Sequence, residues 1–199
     1  MNSVIVLEAL DGVGKTTVAK ILTRKMNAVL YRPSVKIIQF VNESVKLPYG
    51  SPVRSENIRK SLEMMSNEIK EITKYSTVVI DRFYASWASA EAGDGNLRMA
   101  DLSIDNWPRN LIKPNLSIHL RVDEDVRLAR IGSRAHQNDR EIRLGNDQTY
   151  RHRVLRSLTR LTNYDVDNTF RTPDETASRI LQIFRNIKER RNPLSVLVV

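Results

Sequence analysis

The residues best suited to chemistry lie within the first twenty positions. Residues 8–17 read Glu-Ala-Leu-Asp-Gly-Val-Gly-Lys-Thr-Thr, and they lie between an apolar run at 3–7 and apolar residues at helical spacing. A strand, a glycine-rich turn and a helix in this order form the context of a phosphate-binding loop. Backbone N–H groups in such a turn converge on an anion, and the dipole of the following helix adds its positive end. The stretch therefore predicts a site for nucleotide phosphates.

The polar residues of this loop have separate expected roles. The predicted nucleotide-binding set is Asp11, Gly12, Val13, Gly14, Lys15, Thr16 and Thr17. Lys15 is expected on the β- and γ-phosphates, and the Thr16 hydroxyl is expected on Mg²⁺. The full pattern begins with glycine, where this chain has Ala9, but Gly12 and Gly14 still allow positive φ angles. The alternative is a turn that only joins a strand to a helix.

A second pair of candidates follows another apolar run, at 77–80. Asp81 and Arg82 come directly after it. Charged residues at the carboxyl end of a strand in a parallel sheet lie where ligands bind. We expect Asp81 to hold Mg²⁺ directly or through water, and Arg82 to pair with a phosphate. The alternative is an ordinary surface ion pair at a strand end.

Composition limits the class of protein. The chain has 199 residues, of which 41% are hydrophobic and 28% charged, and this suits one globular domain. It has no cysteine, so a disulfide framework and a thiolate metal site are excluded. No apolar run reaches the ~18 residues of a membrane span, and the first strand begins at once. We expect no signal peptide, no membrane contact and a cytoplasmic location.

The positive charge is concentrated in one part of the chain. The net charge is +9, and residues 121–160 contain ten arginines, no lysine and six acidic residues. Arginine forks onto phosphate oxygens, whereas Tyr150 alone makes a poor stacking platform for a single strand. The band favours a clamp on nucleotide phosphates, with nucleic acid as the weaker alternative.

The order of elements predicts the fold. Apolar runs at 3–7, 28–31, 77–80, 116–120 and 164–167 predict five strands, and helical patterns separate them. Such alternation is typical of an α/β fold, a doubly wound parallel sheet with helices on both faces. The segment 35–52 fits strand or helix, whereas residues 58–72 have clear helical spacing. We expect one domain over 1–190 and a tail over 191–199.

Two arginine-rich helices form the predicted lid. Residues 123–134 and 140–163 have helical patterns, the second interrupted if Gly145 breaks it, and a polar loop joins them. This is the form of a segment that closes over phosphates, with its centre at about 134–143. The arginines concerned are Arg130, Arg134, Arg140 and Arg143. The alternative is a solvated helical hairpin.

With these motifs in hand, the chain resembles the thymidylate-kinase-like nucleoside monophosphate kinases over residues 4–187. Residues 6–17 are similar to the family's opening Phe-Glu-Gly-x-Asp-Gly-x-Gly-Lys-[Ser/Thr]-Thr, and Asp-Arg-Phe at 81–83 is similar to its Asp-Arg-Tyr. Trp-Pro at 107–108 and Lys-Pro-Asn-Leu at 113–116 also resemble the mitochondrial UMP-CMP kinase of this superfamily.

The resemblance implies an activity and roles. It implies a P-loop kinase that transfers the γ-phosphoryl group of ATP, with Mg²⁺, to a pyrimidine nucleoside monophosphate, and dTMP is the leading acceptor. Asp11 would lie between donor and acceptor, and Arg82 would hold the acceptor phosphate. Arg134 and Arg140 would close over the transferring group, while Arg130 would contact the donor nucleotide. Gly12 stands where some members carry arginine. The resemblance also implies a homodimer.

Other functions remain open. A UMP, CMP or dCMP kinase is one. A deoxynucleoside kinase would need a carboxylate base for a 5′-hydroxyl, for which Glu8 or Asp11 can be argued. A non-enzymatic, nucleotide-dependent nucleic-acid-binding protein is the third.

Thymidylate kinases read thymine with an aromatic residue and an arginine four positions later. Helix 58–74 has no aromatic, and the resemblance places Arg59 and Glu63 at those positions, so that Glu63 would suit N4 of cytosine.

Overall fold

The computed structural model describes residues 2–48, 50–96, 98, 101–133 and 139–191. Its strands are β1 (Val4–Glu8), β2 (Val29–Leu30), β3 (Val78–Asp81), β4 (Leu116–Arg121) and β5 (Tyr164–Asp167). Its α-helices are α1 (Lys15–Met26), α2 (Val35–Val45), α3 (Pro52–Thr73), α4 (Tyr84–Gly93), α5 (Glu124–Gly132), α6 (Asp139–Asn146), α7 (Gln148–Arg160) and α8 (Pro173–Arg191). A short 3₁₀ turn, Ile104–Asn106, lies between α4 and β4.

The five strands form one parallel sheet in the order β2-β3-β1-β4-β5. Crossovers between parallel strands are right-handed, so a chain that changes direction along the sheet covers both faces with helices. Here α1 packs against α8, while α4 packs against α7. The predicted α/β fold with five parallel strands is confirmed.

The central strand β1 fixes the position of the candidate residues. All five of its side chains are buried, and β3 and β4 pair with it on either side. Leu7 is in register with Asp81, so the loop after β1 and the turn after β3 leave the sheet at the same edge. The glycine-rich loop and the Asp81–Arg82 pair therefore lie at the same edge of the sheet.

Helix boundaries differ from the sequence patterns where capping residues decide them. The ambiguous segment 35–52 contains helix α2 and the start of α3, which begins at Pro52 because the Ser51 side chain accepts the Arg54 N–H at 3.2 Å. The helix expected over 140–163 is two helices. The break lies at Asp147, whose carboxylate accepts the Tyr150 N–H at 2.8 Å, and Gly145 stays inside α6.

Parts of two predicted segments fall outside the described residues. Residues 134–138 of the predicted lid, with Arg134, are among them, and so are residues 192–199 of the predicted tail. Residues 139–143 of the lid form the first part of α6. Among the helices that the structure describes, none combines the length and the apolar composition needed to cross a membrane.

Close approach of α4 to α7 makes Gly93 sensitive to substitution. A Cβ atom at Gly93 would lie 2.5 Å from Tyr150 Cε2 and 2.8 Å from Val154 Cγ2. We expect Gly93→Ala to lower the free energy of unfolding by about 1–3 kcal/mol, because the core must shift to admit a methyl group. Chemical denaturation measures it. Gly132→Ala is the control: its Cβ would meet nothing within 4 Å, and equal effects of both variants would contradict this packing.

Candidate functional site

The glycine-rich loop has the backbone conformation that its sequence predicts. Gly12 and Gly14 have φ angles of 89° and 90°. Ala9, in place of the first glycine, is fully buried and is not among the described residues with positive φ, so no glycine is needed there. At Gly12 a Cβ would lie 2.7 Å from Ile131 Cγ1, because α5 packs directly on the loop. This close contact leaves no room for a side chain at position 12 and explains the glycine there.

Arginines bind the carbonyl oxygens of the loop. Arg82 Nη1 donates to the Ala9 carbonyl at 2.7 Å, and Arg127 Nη1 donates to the Asp11 carbonyl at 3.2 Å. Arg127 is buried and also donates to the Glu124 carboxylate. These charge-assisted hydrogen bonds fix the conformation of the loop.

The Val13 carbonyl is held from two other segments. Asn168 Nδ2, from the loop after β5, donates to it at 2.7 Å, and Arg130 Nη1 donates at 3.2 Å. Thr176 Oγ1 fixes the Asn168 amide by donating to its oxygen at 2.6 Å. Arg130 therefore lies beside the loop, and its contact with the donor nucleotide stays a prediction. The sequence analysis did not predict this role of Asn168. The one signal for it was its position directly after the last strand.

The predicted phosphate and metal ligands lie together. Lys15 Nζ donates to one oxygen of Asp81, and Thr16 Oγ1 donates to the other. Burial alone would raise the pKa of the Asp81 carboxyl, but the Lys15 charge and both hydrogen bonds hold it below its ordinary value. Burial and the nearby Arg82 lower the pKa of Lys15, against the opposing effect of Asp81. Thr17 lines the same cavity.

The donor set at Asp81 fits a magnesium ion. Mg²⁺ binds through one or two carboxylates together with substrate phosphates and water. Thr16 and Asp81 offer one hydroxyl and one carboxylate at the edge of the loop. In the part of the chain that the structure describes, no three His, Cys, Asp or Glu residues form a metal cluster. A metal held here would thus depend on ligands from the substrate.

Arg82 occupies a strained turn between β3 and α4. Its φ angle of 71° lies in the left-handed region, which costs a non-glycine residue on the order of 1–3 kcal/mol. Its guanidinium donates to the Asp11 carboxylate, to the Ala9 carbonyl and, at 3.2 Å, to Ser86 Oγ. The surrounding bonds hold a conformation that the residue alone would not adopt.

The buried carboxylate of Glu8 stabilises that turn through hydrogen bonds to Phe83 and Ser86. Its side chain has no exposed surface; one oxygen accepts the Phe83 N–H at 3.0 Å, and the other accepts the Ser86 hydroxyl. Burial raises the pKa of Glu8 against the lowering effect of Ser86, Arg82 and Phe83. Glu8 lines neither cavity described below, so it does not suit the role of a base for a 5′-hydroxyl.

Two cavities meet at Arg82. The loop cavity, of about 440 Å³, is lined by residues 10–17, 31–33 and 80–82, with Met65. The helix cavity, of about 480 Å³, lies between α3 and α4, and its wall is largely apolar. Arg82 and Met65 line both. The arrangement can place two ligands end to end, with the guanidinium at their junction.

Arg140 enters the helix cavity from α6. Its Nε is buried and has no hydrogen-bond partner among the described residues. Burial and the positive charge of Arg82 lower the pKa of the Arg140 guanidinium, while Asp11 opposes that change. A half-buried cation that lines a cavity is suited to an anionic ligand. Asp11, Lys15, Arg82 and Arg140 are thus brought together, and Arg134 lies outside the described residues.

The placement of Glu63 was wrong. Glu63 Oε1 accepts hydrogen bonds from Arg59 and Asn110, and the side chain does not line the helix cavity. The α3 side chains that do line it are Arg54, Ile58, Ser61, Leu62 and Met65. A register error of one residue turns a side chain by about 100° around a helix, which is enough to remove it from a site.

Comparison with known sequences supports a kinase. A family model described as an AAA domain matches residues 5–151. A relative from Methanococcus maripaludis, named a probable thymidylate kinase, is 32% identical over 141 residues. The match covers 67% of this chain and 67% of the relative.

Comparison with solved structures shows the same fold. A thymidylate kinase from Candida albicans, described as having broad substrate specificity, matches 94% of this chain and 92% of its own, with 18% identity and a TM-score of 0.70. A deoxyadenosine kinase from M. mycoides with dCMP and dCDP bound matches 92% and 99%, with 14% identity and a TM-score of 0.61.

The buried Glu8 gives a pH-dependent stability. A carboxyl whose folded pKa is raised contributes stability at low pH, and this contribution is lost as the pH rises from the ordinary value of 4.5 through the folded pKa. We expect the free energy of unfolding of Glu8→Gln, relative to the unmodified protein, to increase over that range. Denaturation at several pH values measures the difference. Glu43→Gln removes an exposed carboxylate as a control, and a Glu8→Gln difference independent of pH would contradict the expectation.

Proposed function

Because the chain belongs to the thymidylate-kinase-like family of P-loop nucleoside monophosphate kinases, we propose that it transfers the γ-phosphoryl group of ATP to a pyrimidine nucleoside monophosphate, with dTMP as the leading acceptor. The chain is a nucleotide kinase, and the acceptor is the part of this proposal that needs a test. The observation that carries it is the junction of two cavities at Arg82, beside Lys15 and Asp81.

The loop cavity is the proposed donor site. Its glycines, with Lys15 at the start of α1, would surround the β- and γ-phosphates, and Arg130 lies beside the loop where it can contact the donor nucleotide. Thr16 and Asp81 would hold Mg²⁺. When bound, the ion would supply positive charge to the phosphates. Phosphoryl transfer needs chiefly positioning and such charge neutralisation.

The helix cavity is the proposed acceptor site. Arg82 would bind the acceptor phosphate, and its bond to Asp11 aims the guanidinium at the junction. Arg140 would neutralise the transferring group from the other side, and Arg134 is proposed to join it. The acceptor phosphate is itself the nucleophile, so no general base is required. Glu8 is buried and its carboxylate accepts two hydrogen bonds, which is consistent with a transfer that uses no general base.

An ATP-coupled assay over all natural nucleoside monophosphates tests the proposal. Turnover of a pyrimidine monophosphate supports it, whereas turnover of deoxynucleosides alone would favour the deoxynucleoside kinase alternative. A salt-dependent shift of DNA or RNA without any turnover would favour nucleic-acid binding. Repeating the assay while Mg²⁺ is removed by a chelator tests the metal.

A homodimer and a cytoplasmic location are further proposals. The family resemblance supports the homodimer, and the cysteine-free composition fits a reducing compartment such as the cytoplasm.

Lys15 provides the first test of the donor site. We expect Lys15→Ala to lower kcat by about 10²–10³ or more, because an ammonium aimed at the transferring phosphates is lost. Circular dichroism checks that the variant is folded. Lys20→Ala, on the exposed side of the same helix, is the matched control and is expected to keep the activity. A folded Lys15→Ala protein with normal turnover would overturn the donor assignment.

Arg82 provides the test of the acceptor site. We expect Arg82→Ala to raise the KM for the acceptor far more than that for ATP, since losing a charge-assisted contact costs about 2–4 kcal/mol. The exposed Arg179→Ala, which lies on α8, controls for lost positive charge. If the ATP affinity fell and the acceptor affinity did not, the two cavities would be wrongly assigned.

A further inference from the structure

Resting on the proposed kinase activity, we infer that Trp87 and Glu91 on helix α4 read the acceptor base. We also infer that the Glu91 carboxylate selects a base with an amino group at the edge far from the sugar. Among the pyrimidines this base is cytosine. The site would then accept cytidylates, CMP or dCMP, at least as well as dTMP.

The two residues lie in the right order along α4. Trp87 and Glu91 are four positions apart, so they lie on one face of the helix, and both line the helix cavity. Ser86, one residue before Trp87, receives a hydrogen bond from the Arg82 guanidinium. Glu91 lies about 7–8 Å further along the axis than Ser86, at a rise of ~1.5 Å per residue. A nucleotide whose phosphate is bound by Arg82 would therefore pass Trp87 before its base reaches Glu91.

Trp87 carries a hydrogen-bond donor that has no partner. Its Nε1 is buried and bonds to nothing among the described residues. Buried donors are nearly always satisfied, so this N–H is available to an acceptor atom of a ligand if the indole turns it toward the cavity that Trp87 lines. The indole N–H can only donate. A ring carbonyl next to the glycosidic bond, which every pyrimidine nucleotide has, would satisfy it.

Glu91 offers an acceptor that is only half used. The side chain is buried, and its Oε2 accepts from Ser55 Oγ at 2.7 Å and from Asn96 Nδ2 at 3.5 Å. Its Oε1 has no hydrogen-bond partner in the described part of the chain. An ionised carboxylate can only accept. The open oxygen, on a side chain that lines the helix cavity, can therefore accept an N–H group of a ligand.

The neighbouring charges do not replace Glu91. Asp94, which also lines the cavity, is paired with Arg143. Arg54 donates to the Leu47 carbonyl at 3.0 Å. The carboxylate of Glu91 is thus the open charged acceptor at this end of the described cavity wall.

The pyrimidines differ at the position that would face Glu91. Cytosine presents its N4 amino group, which donates, whereas thymine presents the O4 carbonyl, which accepts. A thymine O4 next to the carboxylate would place two acceptors together and leave both without a donor. Discrimination between such bases is strong when polar groups of a dry site are left unpaired. Cytosine therefore fits Glu91 and Trp87 together, as acceptor and donor respectively.

The test compares kcat/KM for dCMP, CMP, dTMP and UMP at fixed ATP. We expect the unmodified protein to use dCMP or CMP at least as well as dTMP. Glu91→Gln keeps an acceptor for Ser55 and gains an N–H that can donate to O4, so the dCMP-to-dTMP ratio should fall by about tenfold or more. Glu63→Gln, outside the cavity, is the matched control and should leave that ratio unchanged. Trp87→Phe should raise the KM for all pyrimidine monophosphates about tenfold, with the KM for ATP unchanged.

The outcomes separate this inference from the proposed function. Kinase activity with a strong dTMP preference that Glu91→Gln leaves unchanged would overturn the inference while the kinase function stands. If no monophosphate is phosphorylated, the proposed function fails, and calorimetric titration with dCMP and dTMP without ATP decides the inference. Tighter binding of dCMP, reversed in Glu91→Gln, supports it in that case. Equal binding of the two nucleotides overturns it.

Discussion

The guanidinium of Arg82 joins the two halves of the site. It binds the loop after β1 through Ala9 and Asp11, and it binds the start of α4 through Ser86. Its backbone is in a left-handed conformation, so the turn depends on outside support. Glu8 gives that support from the buried end of β1. The loop cavity and the helix cavity are therefore held in a fixed relation by the hydrogen bonds of one strained residue.

The arginine-rich part of the chain has a structural use that its composition did not reveal. Charge alone suggested that these arginines clamp phosphates. Arg127 and Arg130 bind carbonyl oxygens of the loop. Of the predicted lid arginines that the structure describes, Arg140 is the one that lines the helix cavity. Arginine can do this because several fixed donors lie on one planar group. Arg127 and Arg130 therefore stabilise the loop itself.

The sequence predicted those parts of the site that depend on local pattern. Gly12, Gly14 and Lys15 follow from a strand, a turn and a helix in order, and Asp81 follows from the rule that parallel strands share an edge. Asn168 could not be found in this way, because its bond to Val13 joins residues 155 positions apart.

Two further differences have equally physical causes. Glu63 was misplaced because helical phase at one residue depends on packing against α4, which periodicity does not contain. The break in the second arginine-rich helix came from an Asp147 cap rather than from Gly145. Capping and phase are decided by single contacts, and a pattern averaged over many residues does not resolve them.

The ion pair between Lys15 and Asp81 has a thermodynamic consequence. In the proposed kinase, an incoming triphosphate would compete with the Asp81 carboxylate for the lysine, and binding becomes an exchange of one anion for another. The released carboxylate then needs another cation. Nucleotide and metal ion should consequently bind with positive heterotropic cooperativity, each raising the affinity of the other by the same factor. The free protein would discriminate against nucleotide without metal through its own internal counter-ion.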